Sequence, residues 1–302
     1  MANSVEIVSP YLFRYKGFVF AHGDTTPEYI NSLQDFEIRD SDVFLVTYPK
    51  SGTVWTQQII TLLYEGEVEE ATQRAGLTYS NNLERMPWLE FRGDRSDYSL
   101  RPSPRLFCSH LTPTLLPRGL REGKGKVVYV MRNPKDVAVS YYHFSQAMTK
   151  LETPRSFQDL LDKYLEGNVG GSSWFDHVRT WHSSKGLFNI LFLTYEEMVQ
   201  DLRGAVQKLC TFLGRQLDST SLNRVVDRAT FRNMRADPRA NYEFLPADLL
   251  LREQGHFLRK GTTGDWKNSF TVAQSESFDS VFQERMRGLP LEFIWDINKQ
   301  PE

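Results

Sequence analysis

The chain has 302 residues, 40% of them hydrophobic and 25% charged, the balance of a soluble globular protein large enough to bury a sizeable core. Thirty-six Lys and Arg against 38 Asp and Glu leave a formal charge of -2, without the basic excess of a general nucleic-acid binder. Two separated cysteines in apolar surroundings, no apolar run of about 18 residues and no basic-then-apolar N-terminus argue against a disulfide scaffold, a membrane span or a secretory leader, and point to the cytoplasm.

Along the chain, short β-rich runs alternate with longer amphipathic stretches. DVFLVTY (42–48) reads as a strand and is followed at once by a helical pattern over 52–64. The interval 66–104, with Pro87, Pro102, Pro104 and several charges, predicts irregular loops lying over a site. RLFCSH (105–110) is a second strand, and KVVYVM (126–131) a third, leading through Arg132 and Asn133 into a helix from Pro134. FNILFLTY (188–195) precedes one helix over 196–214, where Met198, Leu202, Val206, Leu209 and Leu213 recur at helical spacing and Gly214 supplies the stop. The segment 236–270 is again irregular, and long loops in a compact domain are often lids. A last helical pattern covers 272–287.

No internal repeat interrupts this order, so 1–302 reads as a single α/β domain. Strands apolar on both faces imply a central, mostly parallel sheet flanked by helices in a doubly wound layout. Such sheets bind ligands beyond the carboxyl ends of their strands. Here those ends are 48–55, 109–112 and 131–140.

The first of these ends is Tyr48-Pro49-Lys50-Ser51-Gly52-Thr53. Proline stiffens the strand exit, glycine permits a tight fold, and the free amides of the new helix face outward with the positive end of its dipole. Lys50 adds a full charge, and Ser51 and Thr53 add hydroxyl donors. The alternative is a plain helix cap with a surface lysine. The pattern G-x-x-x-x-G-K-[ST] is absent, which weakens an ordinary ATP or GTP site.

Three blocks carry a resemblance to a known family. TYPKSGTVW (47–55) resembles the P-loop-like 5′-phosphosulfate loop of the cytosolic sulfotransferases. VVYVMRNPKDVAVSYYHF (127–144) resembles their 3′-phosphate motif, and FLRKGTTGDWKNSFT (257–271) their C-terminal signature. The resemblance implies the donor 3′-phosphoadenosine 5′-phosphosulfate (PAPS), which needs two separated anion sites. One would be Lys50, Ser51, Gly52, Thr53 and Val54. The other would be Arg132 and Ser140, closed over by Phe257, Arg259, Lys260 and Gly261. Trp55, Tyr195 and Phe231, with Ala229 and Thr230, would hold the adenine. For the aromatics, plain core packing is the alternative, and for Arg132 a surface ion pair with Asp136.

Sulfuryl transfer to a hydroxyl needs a base near the acceptor. His110 ends the second strand, and Ser109-His110-Leu111 resembles the family's histidine motif, which makes His110 the base. Lys50 would stabilise charge building on the leaving oxygen, and Ser140 would hold that lysine until an acceptor binds. No metal is implied: Asp94 and Asp97 read as solvated loop charges. Cys108, Ser109, Trp88, Phe91 and Phe144 are the candidates for an apolar acceptor pocket taking a phenol, steroid alcohol or arylamine. PWLE and SPRLFCSHL stand nearer the hydroxysteroid and amine branches. Val54, Ala229 and Thr112 depart from the family pattern. Lys267, Thr271, Val272 and Glu276 resemble its short dimer motif, implying a homodimer. Two rivals stay open: an ATP-dependent phosphotransferase of related fold, and a non-catalytic nucleotide or lipophile carrier.

Overall fold

A computed structural model describes residues 4–93 and 97–297; Asp94 lies outside the described residues. Seven strands form within them: β1 (Glu6–Ser9), β2 (Leu12–Tyr15), β3 (Phe18–Ala21), β4 (Val43–Thr47), β5 (Leu106–Ser109), β6 (Lys126–Met131) and β7 (Ile190–Thr194). The last four are rich in β-branched and aromatic residues, which suit a pleated, buried surface. They pair in parallel in the order β5-β4-β6-β7. The chain thus leaves β4 for one neighbour and crosses back to β6 on the other side.

Successive side chains of a strand face opposite ways, and both faces of this sheet are covered. Phe44, Val46, Phe107, Val127 and Tyr129 pack into one cluster, against helices Pro134–Ala147, Phe157–Glu166, Trp174–Ser183 and Val272–Met286. Val43, Leu45, Leu106, Cys108, Val128 and Val130 pack into the other, against helices Thr53–Leu63, Leu202–Leu213 and Ser219–Arg228. β1, β2 and β3 form a separate antiparallel meander, whose Phe13, Tyr15, Phe18 and Phe20 join the first cluster.

The sequence pattern misplaces two elements. The interval 66–104 is not irregular throughout, since Glu65–Arg74 is a helix that buries only Val68, Ala71 and Thr72, and Asn82–Arg85 adds one turn. The helix expected over 196–214 is two, Tyr195–Gln200 and Leu202–Leu213. Asp201 breaks it: its backbone leaves helical geometry, and its side chain accepts the Gly204 N–H to start the second piece. The segment 236–270 is largely irregular, as expected, with one short 3₁₀ turn at Asp265–Asn268.

The register aligns the strand ends. Val46 lies opposite Ser109, Thr47 opposite Val130, and Met131 opposite Thr194. The residues that follow the strands therefore leave the sheet at one edge: Tyr48 to Gly52 after β4, His110 after β5, Arg132 after β6 and Tyr195 after β7. The opposite edge is pinned by a buried pair. Arg105 donates from Nε to Asp42 Oδ1 at 2.9 Å and from Nη2 to Asp42 Oδ2 at 2.5 Å, with both side chains fully buried. Removing one partner of such a pair strands a charge without a counter-ion. Asp42→Ala should therefore lower the unfolding free energy by about 3–5 kcal/mol in a denaturant titration. A loss below about 1 kcal/mol, the scale of an exposed pair, would show that the pair does not pin this edge.

Candidate active site

The turn after β4 is built around two left-handed residues, Lys50 (φ 68°) and Gly52 (φ 102°). A side chain at Gly52 would meet the ring of Tyr195 at 2.8 Å, so glycine is required twice over, by conformation and by space. Thr47 and Thr53 hydroxyls bond at 2.6 Å and close the base of the turn. No side chain caps the helix Thr53–Leu63 at Gly52, so its first amides have no side-chain acceptor. The Ser51 hydroxyl is buried without a hydrogen-bond partner.

Lys50 reaches into a nest of aromatic faces. Its Nζ lies 3.6 Å from the centroid of Phe144 and 4.8 Å from that of Phe257. Burial, reinforced by the charges of Arg132 and Arg259, pushes its ammonium down to about 7. Arg132 is oriented by the backbone rather than by a carboxylate. It donates to the Thr262 carbonyl at 2.9 Å and the Lys50 carbonyl at 3.3 Å, and its guanidinium stacks 4.1 Å over Tyr195. Asp136 stands 4.0 Å away but accepts the Gly264 and Trp266 amides at 2.7 and 2.9 Å. Asp136 thus ties the 257–266 loop down over the helix that carries Ser140.

On that loop Arg259 and Lys260 both bond Asp265, at 2.7 and 2.6 Å. Burial raises the Asp265 carboxyl, yet bonds from Lys260, Asn268 and Arg259 outweigh it and hold the group well below the usual range. Gly261 is left-handed at φ 68°, and a side chain there would enter the ring of Phe231 at 2.3 Å. The Nε atoms of Arg132 and Arg259, like Ser51 Oγ, are buried without partners. Lys50, Arg132 and Arg259 line one cavity, and each arginine keeps one buried donor that an anion could satisfy.

His110 is fixed at three points. Its Nδ1–H donates to the Thr47 carbonyl at 2.7 Å, which leaves Nε2 as the basic nitrogen. His177 Nε2–H donates to the His110 carbonyl at 3.0 Å, and the Tyr129 hydroxyl donates to His177 Nδ1 at 2.8 Å. Glu90 Oε1 accepts the His110 amide at 2.6 Å. Burial pushes the imidazole down to about 3, against the opposing bond from Thr47. The ring is therefore neutral at physiological pH, with the Nε2 lone pair unprotonated.

All of this opens on one cavity of about 770 Å³, whose wall includes Lys50, His110, Arg132, Ser140, Arg259 and Lys260. Its basic end is flanked by Trp55, Tyr195 and Phe231; the Trp55 and Tyr195 rings meet edge-on at 5.2 Å. Its apolar end is lined by Phe18, Phe20, Trp88, Phe91, Met148 and Leu249. Trp88 packs on His110 with ring centroids 4.4 Å apart.

Of the residues expected from the sequence, Lys50, Gly52, Thr53, Val54, Trp55, Arg132, Ser140, Tyr195, Phe231, Phe257, Arg259, Lys260 and Gly261 come together on this wall, as do His110, Trp88, Phe91 and Phe144. Others do not. Cys108 is fully buried in the cluster with Leu45, Leu106 and Val128, Ser109 is buried with its hydroxyl accepting the Leu111 amide, and Ser51 is fully buried behind its turn, so none of the three lines the cavity. Ala229 offers its carbonyl to Trp55 Nε1 at 2.7 Å rather than its methyl to a ligand. Thr230 is spent capping the helix Phe231–Ala236. Phe144 faces the Lys50 ammonium as much as the apolar end. The roles of Glu90, His177, Asp136 and Glu196, which holds the Asn133 amide at 3.0 Å, emerge only from the fold, although Asp136 and Glu90 lie within blocks quoted above.

Residues 40–290 match the profile of the sulfotransferase domain family. The amine sulfotransferase of Oryctolagus cuniculus is 46% identical over 292 residues, 96% of this chain and 95% of that protein. Sulfotransferase 2B1 of Rattus norvegicus is 46% identical over 285 residues, 94% of this chain and 82% of that protein. Among solved structures, mouse sulfotransferase SULT7A1 complexed with PAP matches with a TM-score of 0.73 at 33% identity, over 92% of this chain and 96% of that one. Taken with the strand-end cavity, these relationships show that the chain belongs to the sulfotransferase family and is a sulfuryl-transfer enzyme.

Proposed function

We propose that the cavity binds PAPS along its basic end and passes the sulfuryl group to a hydroxyl or amine of a small lipophilic acceptor at its apolar end. The observation that carries this is the gathering of Lys50 after β4, Arg132 after β6 and Arg259 from the 257–266 loop on one cavity, beside a neutral histidine. The PAP complex of the mouse relative supports the nucleotide, and the amine sulfotransferase and sulfotransferase 2B1 relatives support the acceptor class. The amides opening the helix Thr53–Leu63, with Lys50 and Thr53, would hold the 5′ end. Arg132, Ser140, Arg259 and the Gly261 turn would hold the 3′-phosphate, and Trp55, Tyr195 and Phe231 the base. Among the described residues no cluster of three or more His, Cys, Asp or Glu is placed to hold a metal ion.

The bound donor supplies the sulfuryl group and an anionic leaving phosphate. His110 Nε2 takes the acceptor proton, its tautomer set by the Thr47 carbonyl and its neutrality by burial. Lys50 presents its ammonium to the departing oxygen. Trp88 and Phe91 exclude water around the imidazole and orient a flat acceptor. We place the enzyme in the cytoplasm, which suits two buried free cysteines, and no helix among the described residues is long and apolar enough to cross a membrane. We further propose a homodimer through the start of helix Val272–Met286. Val272 is 75% exposed there and Thr271 caps the helix, with Glu276 and Lys267 exposed beside it.

His110→Ala should lower turnover on the order of 10²-fold or more while PAP binding changes little, because its role is proton transfer. Lys50→Ala should lower turnover by a similar order. Turnover near wild type in the first, or a purely affinity-based loss in the second, contradicts the assigned roles. Lys50 also sets a pH signature. An anion beside it raises its pKa above the free value of about 7, so binding takes up a proton around pH 7 and more fully between the free and bound pKa values. PAP affinity should therefore fall as pH rises from 7 to 9, beyond the range where a phosphate titrates at about 6. Calorimetry in buffers of different ionisation enthalpy should find proton uptake that Lys50→Met abolishes; a flat affinity and no uptake contradict the reading. Val272→Glu should convert the dimer to monomer in light scattering. A dimer that survives this change places the interface elsewhere.

A further inference from the structure

Glu90 is a fully buried carboxyl that no step above employs. It belongs to a short ribbon, 87–91, that runs beside β5 as an extra parallel partner. The Cys108 amide donates to the Pro87 carbonyl and the Leu89 amide to the Cys108 carbonyl, both at 2.8 Å, which bridges Trp88 to Cys108. The Tyr98 hydroxyl bonds the Trp88 carbonyl at 3.1 Å, and the Tyr29 hydroxyl bonds the Leu89 carbonyl at 2.8 Å. The ribbon is thus held on both sides.

It presents two kinds of group at once. Trp88 and Phe91 face the cavity and form part of its apolar wall. Glu90, between them, reaches the end of β5 and accepts the His110 amide at 2.6 Å, with a further bond from the Ser109 side chain. Burial raises this carboxyl to about 7, against the bonds from His110 and Ser109. Its other oxygen, Oε2, is buried without a partner. A backbone carbonyl could satisfy the same amide without the cost of burying a carboxyl. What the carboxyl adds is a short, charge-assisted bond from a side chain rooted in the acceptor wall. Of the three groups that fix His110, Thr47 and His177 belong to the sheet edge and to the helix Trp174–Ser183. Glu90 alone belongs to the segment that touches the acceptor.

We propose that Glu90 is a positioning residue for sulfuryl transfer: by clasping the His110 amide from the ribbon that carries Trp88 and Phe91, it registers the basic nitrogen against the bound acceptor. This rests on His110 being the base. Glu90 acts through His110 and takes no proton from the acceptor. Donor-binding groups stand on other strand ends, so the clasp governs turnover and not nucleotide affinity.

The test is a double-mutant cycle, with turnover expressed per PAP-binding site so that misfolded protein does not count. Glu90→Ala should lower kcat about tenfold to hundredfold, the scale of a small misplacement of a reacting group, with PAP affinity within threefold of wild type. Glu90→Gln, whose amide oxygen can accept the same N–H, should recover most of that loss. In a His110→Ala background, Glu90→Ala should add no further loss, because there is no imidazole left to position. If Glu90→Ala does not fold, Glu90→Asp makes the same comparison by withdrawing the oxygen from the amide. A kcat per site within twofold of wild type for the truncated variant, or an equal loss with and without His110, overturns the proposal and leaves Glu90 a packing residue. Near-normal turnover of His110→Ala alone would instead overturn the base assignment itself, so the two failures are distinguishable.

Discussion

The constraint on which the rest depends is the parallel register of β4 with its two neighbours. Five consecutive residues of β4 pair with β6, and four of them with β5, so three strands end side by side and their following residues leave the sheet at one edge. The chain turns sharply there, leaving amides and carbonyls without strand partners. Those carbonyls are put to use. Thr47 selects the His110 tautomer, Lys50 orients Arg132, and Thr262 from the lid completes the fork. A slip of one residue in β4 would exchange the side chains packed into its two buried faces and separate Thr47 from His110. The buried Arg105–Asp42 pair guards against this at the far end, where it joins the starts of β4 and β5.

At the functional edge the electrostatics run the other way. Lys50, Arg132 and Arg259 are brought close with carbonyls and aromatic faces around them, and the one carboxylate of the 257–266 loop, Asp265, is shared by Arg259 and Lys260. Burial lowers the Lys50 ammonium, and the like charges of Arg132 and Arg259 add to it, so the cluster is electrostatically unfavourable on its own. The neutral state of His110 comes chiefly from burial, and its unprotonated nitrogen is chosen by a backbone carbonyl, which does not titrate.

The strands of the parallel sheet were legible because each is a short, wholly apolar run bounded by turn residues, and their ends differ from the expected ones by at most two residues. The turns after β4 and β6 were legible because Lys50-Ser51-Gly52 and Arg132-Asn133-Pro134 sit where a strand gives way to a helix. The N-terminal meander was not, since Leu12-Phe13 and Phe18-Val19-Phe20 are buried on both faces and show no alternation. Its one local signal is the Lys16-Gly17 turn, with φ of 50° and 77°. The helix Glu65–Arg74 was hidden by its charge and by Gly66, and the break at Asp201 by a hydrophobic period that runs through it. Cys108 shows the limit of motif transfer. It adjoins the histidine motif, but the two-residue period of β5 buries it with Leu106 on the far side of the sheet. Glu90 and His177 were invisible for a different reason: each acts on the backbone of a residue distant in sequence, and nothing in a linear pattern marks a partner 20 or 67 positions away.

The central claim is that two turns at neighbouring strand ends grip opposite ends of one nucleotide and leave its reactive end before the basic nitrogen of His110. A crystal structure of the chain with PAP tests it most directly. The account predicts the 5′-phosphate on Lys50 and the amides that follow Gly52, the 3′-phosphate on Arg132, Ser140 and Arg259, and His110 Nε2 facing the 5′-phosphate with Nδ1 still on the Thr47 carbonyl. Nucleotide bound through only one of the two turns, or a His110 ring rotated so that Nδ1 faces the phosphate, would contradict it.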